Sequence, residues 1–259
     1  MKGFGLDLFE GTIEEALEEI LDASTVGSGV QLVVTMNVDH LCHLYRNPLF
    51  RSAYQASRIV TVDGTPLAVM MRIRAGKPFE RITGADLFAA LLNNLRPGKH
   101  RPFFVVASQA AKERIVERNL ERGFEACDIG VHVPPHGFER DQAQSAFLIA
   151  EITSVKPTHV FFGVGSPKSE TWMFAHRAAL GDFIGLSVGA AIEFACGLKK
   201  RAPRWVQVVG LEWLWRALLD PSRLGPRYAR NLCLLPILLT NELRGKTPFS
   251  QTQPERGRK

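Results

Sequence analysis

The alternation of strand-like and helix-like segments is the feature that most restricts the fold of this chain of 259 residues. Short runs rich in β-branched and aromatic residues are separated by segments with helical spacing or helix-starting signals. This rhythm predicts an α/β fold over residues 1–196, with a parallel sheet and crossover helices. The predicted strands are QLVVTMN (31–37), RIVTV (58–62), PFFVVAS (102–108), THVFFGVG (158–165) and FIGLSVG (183–189).

Helix starts between these strands are marked by capping residues. TIEE at 12–15 is a capping box, which predicts a helix over 12–23. The pairs Asn47-Pro48 and Thr65-Pro66 have the pattern of an N-cap followed by a proline in the first turn. Further helices are predicted at 112–123, at 144–152 and after residue 167.

Basic charge is concentrated near the C-terminus. Residues 197–230 contain eight Lys and Arg against two acids, whereas residues 1–196 carry a net charge of −3. A cation cluster on an otherwise mildly acidic protein indicates a surface for phosphate, nucleic acid or an anionic membrane. Arg223, Arg227 and Arg230 fall at helical spacing, so one helix would carry them as a cationic stripe.

Beyond residue 196 the alternation of strands and helices stops. Residues 197–245 are predicted to form a helical, basic appendage, and residues 246–259 a polar, disordered tail. The appendage contains three tryptophans, Trp205, Trp213 and Trp215. Exposed indoles favour membrane headgroups or ligand platforms. The late apolar run Leu232–Leu239 is far short of the roughly 20 residues of a membrane-spanning helix, so the appendage is predicted to lie on a membrane rather than cross it.

Polar residues follow two of the predicted strands, at the edge where ligands bind in open parallel sheets. Asp63 comes after the second strand and before a glycine, which fits a catalytic carboxylate or an ordinary turn. Thr35 and Asn37 end the first strand, and Asn37 also fits a helix cap. In GVGSPKSE at 163–170, a glycine-rich turn precedes a helix whose free N–H groups would favour a phosphate. That turn is neither a P-loop nor a complete dinucleotide-binding motif.

Two other enzyme classes are weighed against this pattern. GLSVG at 185–189 matches the nucleophile elbow of serine hydrolases, but all seven histidines precede Ser187, whereas that fold places its base later in the chain. The Asp, His and Cys residues at 39–43 are neighbours that point in different directions on a helix, and no second cluster completes a tetrahedral metal site. Without a D-x-D carboxylate pair, metal-independent chemistry with no cofactor is expected.

Seven motifs occur in an order typical of one protein family. They are TMN (35–37), VDGTP (62–66), ERITG (80–84), GVGSPKSE (163–170), VGAAIEFACGLKKRAP (188–203), GLEWLWR (210–216) and DPSRLGPRY (220–228). Together they resemble the WecG/TagA/CpsF glycosyltransferases, family 26, over roughly residues 30–230. The resemblance implies a Rossmann-like core with an appendage that closes over the site at the membrane. It also implies a cytoplasmic enzyme, peripheral on the cytoplasmic face of the bacterial inner membrane.

The resemblance implies an activity and a set of site residues. An inverting enzyme would move a hexose or N-acetylhexosamine from a UDP-sugar to a sugar on polyprenyl diphosphate, for cell-envelope or exopolysaccharide synthesis. Asp63 would be the general base and Thr35 its catalytic neighbour. The implied substrate-binding residues are Asn37, Arg81, Gly163, Gly165, Ser169, Glu193, Arg216, Arg223 and Arg227. No nucleic-acid partner is implied, and the oligomeric state, including a homo-oligomer, stays open.

Two positions depart from the family pattern. Ser169 replaces a usual glutamine, and Glu193 replaces a usual aspartate. Both changes leave the donor open between N-acetylmannosamine and glucose types. The residues also leave two non-catalytic alternatives open, which are a membrane-surface scaffold and a nucleic-acid-binding protein.

Overall fold

A parallel sheet of six strands forms the centre of the molecule in a computed structural model that describes residues 1–22 and 29–250. A separate antiparallel pair lies at the N-terminus. In chain order, the strands are β1 (Lys2–Gly3), β2 (Leu6–Asp7), β3 (Val30–Met36), β4 (Ile59–Val62), β5 (Pro102–Val105), β6 (Gly130–His132), β7 (His159–Phe162) and β8 (Phe183–Ser187). The sheet order is β4-β3-β8-β7-β5-β6, which confirms the predicted α/β class.

All five predicted strands form, because each is a near-continuous apolar run of the kind that a sheet buried on both faces requires. The sequence analysis missed β6, whose three residues are too few to give a periodic signal. In the middle of the sheet, Val33 of β3 pairs with Leu186 of β8. The carboxyl ends of β3, β4, β7 and β8 therefore meet at one edge.

Helices cover both faces of the sheet and continue beyond it. They are α1 (Ile13–Leu21), α2 (Val38–Arg46), α3 (Pro48–Gln55), α4 (Thr65–Ala75), α5 (Gly84–Asn94), α6 (Gln109–Glu121), α7 (Gln142–Val155), α8 (Lys168–His176), α9 (Ala191–Ala195), α10 (Arg204–Val208), α11 (Glu212–Leu219) and α12 (Pro221–Leu243). The capping box at Thr12 and the Asn47 cap are both present. The prediction for Thr65 was wrong by one residue: Gly64 is the cap of α4, and Thr65 is its first helical residue. Residue 23, the end of the predicted first helix, lies outside the described residues.

The core consists of an apolar layer on each face of the sheet. One layer joins the strands to α1, α5, α6 and α9, with Phe88, Phe104 and Phe161 at its centre. The opposite layer packs α2, α3, α4, α7 and α8 against the sheet. Alternate residues of each strand enter opposite layers, as Val33 and Val34 do. The sheet is thereby held as a rigid base for the loops at its carboxyl edge.

The described part of the chain beyond residue 197 contains helices and no strand. Its longest helix, α12, packs on α2, buries Leu238 in the core and pairs Glu242 with Arg74 of α4. Residues 246–250, which the sequence predicted to be disordered, are ordered, because Phe249 packs against the core layer around α2 and α4. Residues 251–259 lie outside the described residues. Among the helices described, none combines the length and hydropathy that crossing a membrane requires.

Candidate active site

A cleft of about 380 Å³ opens at the carboxyl edge of the sheet. The segments that follow β3, β4, β7 and β8 form one wall, and α11 with the first half of α12 forms the other. This is the position at which open parallel sheets bind their ligands. The cleft therefore joins the predicted strand-end residues to the predicted basic appendage.

Asp63 stands in the cleft where β4 ends. Its backbone N–H donates to the carbonyl of Met36 at 2.8 Å, and its carboxyl Oδ2 accepts from the backbone N–H of Gly84 at 3.4 Å. Burial in the cleft wall raises the pKa of Asp63 to about 6, against the opposing effects of the Gly84 N–H and of Arg81. A carboxylate that begins to bind protons near pH 6 is well matched to accept one at neutral pH.

Thr35 reaches the same point from β3. It is buried, and a side chain on Gly84 would stand 2.8 Å from its hydroxyl, so only glycine allows the start of α5 to approach this closely. The structure thus places Thr35 and Asp63 in the lining of one cleft, together with Gly84, which the sequence analysis did not assign.

Asn37 and Arg81 have structural contacts as well as positions in the cleft. The Asn37 side chain accepts from the backbone N–H of His40 at 3.0 Å, so it caps α2 while it lines the cleft. Arg81 donates to the carbonyl of Asp63 at 3.4 Å and to the carbonyl of Gln207 at 3.0 Å. Arg81 thus ties the turn at Asp63 to α10 of the appendage.

The turn after β7 places one predicted residue away from the cleft. Gly163 and Gly165 line it, and Gly165 has a φ of +90°, which favours glycine. Ser169 is buried outside the cleft lining, and its hydroxyl donates to the carbonyl of Gly165 at 2.9 Å. Its neighbour Glu170 faces the cleft instead, because successive side chains on a helix point in different directions.

Glu170 is a residue of the cleft lining that the sequence analysis did not assign. It is fully buried, and both of its carboxyl oxygens are without a hydrogen-bond partner among the described residues. Burial raises the pKa of Glu170 to about 7. The hydroxyls of Ser166 and Ser187, also in the cleft lining, are unpaired in the same way. No histidine among the described residues bonds to Ser187.

The arginines of the appendage differ in how far they are paired. Arg227 is paired with the buried carboxylate of Asp39, which also accepts from Asn231 at 2.9 Å. Arg223 is exposed and paired with Asp220 at 2.6 Å. The guanidinium of Arg216 makes no hydrogen bond or ion pair with any residue in the described ranges, and its charge opposes the rise in the pKa of Asp63.

Arg227 is therefore an anchor of the appendage in this structure, although it lines the cleft as predicted. Arg230, the third arginine of the predicted stripe, is not part of the cleft lining.

The remaining cleft residues of the C-terminal segment are an ion pair and an aromatic pair. Glu193 bonds to Lys199 at 2.6 Å. Trp213 packs edge-to-face on Tyr228, with ring centroids 5.8 Å apart. Of the three tryptophans predicted to be exposed, Trp205 is 67% exposed, whereas Trp213 and Trp215 are half-buried.

Comparison with family models gives a match over residues 1–248 to the model described as "Glycosyl transferase WecG/TagA/CpsF family". The chain belongs to this family. The resemblance drawn from the motifs is confirmed, and so is the expectation of a sugar-transferring enzyme.

Two curated proteins are among the relatives of this WecG/TagA/CpsF glycosyltransferase. One from Bacillus spizizenii is 29% identical over 192 residues, which cover 74% of this chain and 72% of the relative. One from Staphylococcus aureus is 25% identical over 223 residues, 85% of each chain. Both are named N-acetylglucosaminyldiphosphoundecaprenol N-acetyl-beta-D-mannosaminyltransferase.

The cleft of this glycosyltransferase brings together all the predicted site residues except Ser169. Sequence reasoning found those at strand ends and in the appendage, because strand order and charge are local patterns. It missed Glu170, whose one available signal was an acid beside the apolar residues of α8.

Proposed function

We propose that this enzyme moves a hexose or N-acetylhexosamine from a UDP-sugar to a sugar carried on polyprenyl diphosphate, with inversion at the anomeric carbon. The names of the two relatives support an acceptor of the N-acetylglucosaminyl-diphosphoundecaprenol type. Polysaccharide of the cell envelope is the corresponding product class. The observation that carries the proposal is Asp63, a carboxylate with a pKa of about 6 in a cleft whose opposite wall is cationic.

The geometry supports a single displacement. Gly84 holds Oδ2 of Asp63, and Oδ1 has no hydrogen-bond partner among the described residues. Oδ1 would take the proton of an acceptor hydroxyl while the oxygen of that hydroxyl forms a bond to the anomeric carbon of the donor. The bond from that carbon to the diphosphate breaks, and UDP leaves with the electron pair. General-base assistance of this kind contributes roughly 10²- to 10⁴-fold.

Fixed cations would stabilise the charge that develops on the leaving diphosphate. Arg216 is free of protein partners in the described residues, and Arg223 has one exposed partner that a diphosphate could displace. Preorganised positive charge in a partly enclosed site is a large term in catalysis. We therefore propose that these arginines act without a metal ion.

The outer surface of the appendage fits a membrane that presents the lipid-linked acceptor. Val208, Leu218 and Leu219 are 80%, 71% and 61% exposed, and Trp205 is also exposed. Exposed basic residues of the same segment are Lys200, Arg204 and Arg230. Apolar side chains mixed with Lys and Arg favour an anionic lipid surface. The proposed location is the cytoplasmic face of the bacterial inner membrane.

The proposal is tested by a panel of UDP-N-acetylmannosamine, UDP-glucose and UDP-N-acetylglucosamine, with a short polyprenyl-diphosphate sugar as the acceptor and EDTA present. We expect UDP release that depends on the acceptor with one of the donors, and NMR of the product should show an inverted anomeric configuration. No release with any donor, even after divalent metal and membranes are added, would overturn the proposal. Release that needs divalent metal would overturn its metal-independent part.

A further inference from the structure

The floor of the cleft holds polar groups that the displacement step does not use. Glu170 is 0% exposed, and neither of its oxygens has a hydrogen-bond partner in the described structure. The hydroxyls of Ser166 and Ser187 lie close enough to oppose the rise in the pKa of Glu170, yet they do not reach hydrogen-bonding geometry. An unpaired carboxyl buried in this way is costly, so its presence calls for a ligand that completes its hydrogen bonds.

A histidine supplies a donor to the same floor. Nδ1 of His40 lies 2.6 Å from the hydroxyl of Tyr54, which is buried and has no other partner among the described residues. Tyr54 therefore donates to Nδ1, and the ring carries its own proton on Nε2. Burial lowers the pKa of His40 to about 3, so the ring is neutral. Nε2 stands 3.9 Å from Oε1 of Glu170, too far for a direct hydrogen bond.

The combination of these groups selects the chemistry of the ligand. With a pKa of about 7, Glu170 is present at neutral pH both as a carboxylate, which accepts hydrogen bonds, and as a carboxylic acid, which can also donate one. Nε2–H of His40 donates a hydrogen bond, and the two serine hydroxyls can donate or accept. A ligand hydroxyl between Nε2 and Oε1 would accept from the first and donate to the second. A phosphate would meet the carboxylate form of Glu170 as a like charge, which favours neutral hydroxyls over the diphosphate at the floor.

The position of the floor indicates which hydroxyls it meets. The negative charges of Glu170 and Asp63 both raise the pKa of Tyr54, so the floor and the base lie near the same buried side chain. In the proposed reaction the anomeric carbon comes beside Asp63, which brings the donor hexose over the floor. The lipid-linked acceptor approaches from the appendage side, where α11 and α12 form the wall.

We infer that Glu170, together with His40, Ser166 and Ser187, forms a subsite for hydroxyl groups of the donor hexose and so selects the donor sugar. This inference rests on the proposed function and assigns a specificity role to Glu170, one residue after the Ser169 position at which this chain departs from the family pattern.

The test compares the affinities of UDP and of the UDP-hexose selected by the donor panel, by titration calorimetry, for the wild-type enzyme and for Glu170→Gln. We expect the affinity for UDP to change less than twofold and the affinity for the UDP-hexose to fall about tenfold or more, as for loss of a hydrogen bond to a charged group. Equal losses for both ligands would place the nucleoside on the floor and overturn the inference. Unchanged affinity for both would overturn it as well.

Glu242→Gln is the matched control. Glu242 is also buried, with 4% of its surface exposed, but it is paired with Arg74 outside the cleft. We expect Glu242→Gln to lower the Tm and leave the affinity for the UDP-hexose unchanged. Glu170→Gln should leave the Tm equal or higher, because it removes a buried carboxyl that has no protein partner. A lower Tm for Glu170→Gln with unchanged affinity would show a structural role instead.

Two further measurements keep the inference testable. Ser187→Ala removes a single hydroxyl and should weaken binding of the UDP-hexose by a few fold while UDP binding stays constant. A UDP-deoxyhexose that lacks the contacted hydroxyl should bind equally to the wild type and to Glu170→Gln, and a tenfold difference for every deoxy analogue would contradict the inference. If the wild-type enzyme binds neither UDP nor any UDP-hexose, the proposed function itself fails, whatever the variants do.

Discussion

The two walls of the cleft differ in how completely their polar groups are paired. On the core wall, Glu170, Ser166 and Ser187 have no hydrogen-bond partners in the described structure, and Asp63 has one weak partner. On the appendage wall, Arg223 and Arg227 are each paired with a carboxylate. The guanidinium of Arg216 has no partner among the described residues.

From this difference we infer that the two walls have different tasks. The core wall keeps three polar groups, those of Glu170, Ser166 and Ser187, unpaired on a rigid sheet edge at a cost in stability, which is a usual property of a binding site. The appendage wall uses Arg227 and its partner Asp39 to hold itself in place. One cation, Arg216, is then left for a ligand. The predictions below test this division, beginning with the largest expected effect.

Asp63→Asn should lower kcat about 10³-fold, because an amide cannot take up the proton of the sugar hydroxyl that attacks the donor. The affinity for UDP should stay within threefold of wild type, since the amide keeps the shape of the carboxyl. Turnover and UDP titration measure the two quantities. Asp7→Asn, which changes a carboxyl that is 78% exposed and far from the cleft lining, is the control and should behave as wild type. Near-wild-type turnover of Asp63→Asn would show that Asp63 is not the general base.

Arg216→Ala should lower kcat/KM by about 10²-fold, because it removes a preorganised charge from the leaving group. Arg223→Ala should cost less than about fivefold, since Arg223 is exposed and already paired with Asp220. The same kinetic assay measures both variants. Equal effects of the two substitutions would contradict the assignment of Arg216 as the free cation of the appendage wall.

Asp39→Asn should destabilise the protein by about 2 kcal/mol, as it leaves Arg227 without its charged partner on a half-buried surface. Thermal unfolding at neutral pH measures this change. Asp7→Asn again serves as the control, since its surface pair with Lys2 should be worth less than about 1 kcal/mol. An unchanged Tm for Asp39→Asn would mean that the anchor does not hold the appendage wall.

The pH profile should show the smallest effect, a tenfold fall in kcat/KM for each pH unit below about 6. The pKa of Asp63 is raised to about 6, so its base form is lost as the pH falls through that value. Charged groups that face it are Arg81, Glu212 and Arg216. Glu170 titrates near pH 7, faced by His40, His43, Tyr54 and Arg227. The Glu170→Gln variant should therefore keep the fall in kcat/KM below pH 6. If this fall is absent in the variant, it is caused by Glu170 and not by Asp63.

Sequence patterns predicted the part of the site that depends on strand order. Thr35, Asn37 and Asp63 follow apolar runs, and parallel strands bring such positions to one edge. The rest depends on directions and distant partners that no local pattern carries. Ser169 and Glu170 differ by one helical position, which decides the side that each faces. The pairing of Arg227 with Asp39 joins residues 188 positions apart.

The order of the strands also determines how soon each strand of the nascent chain can pair with its neighbours. β3 gains β4 as a neighbour soon after it is made, but β8, its other neighbour, follows roughly 150 residues later. At about 5–20 residues per second, the ribosome needs on the order of 10–30 s to produce that stretch. One edge of an apolar strand has no neighbour throughout this interval, and an unpaired strand edge of this kind is prone to aggregation. Because β8 carries Ser187 and the second wall follows it in α11 and α12, the cleft is complete only after the first half of α12 has been synthesised.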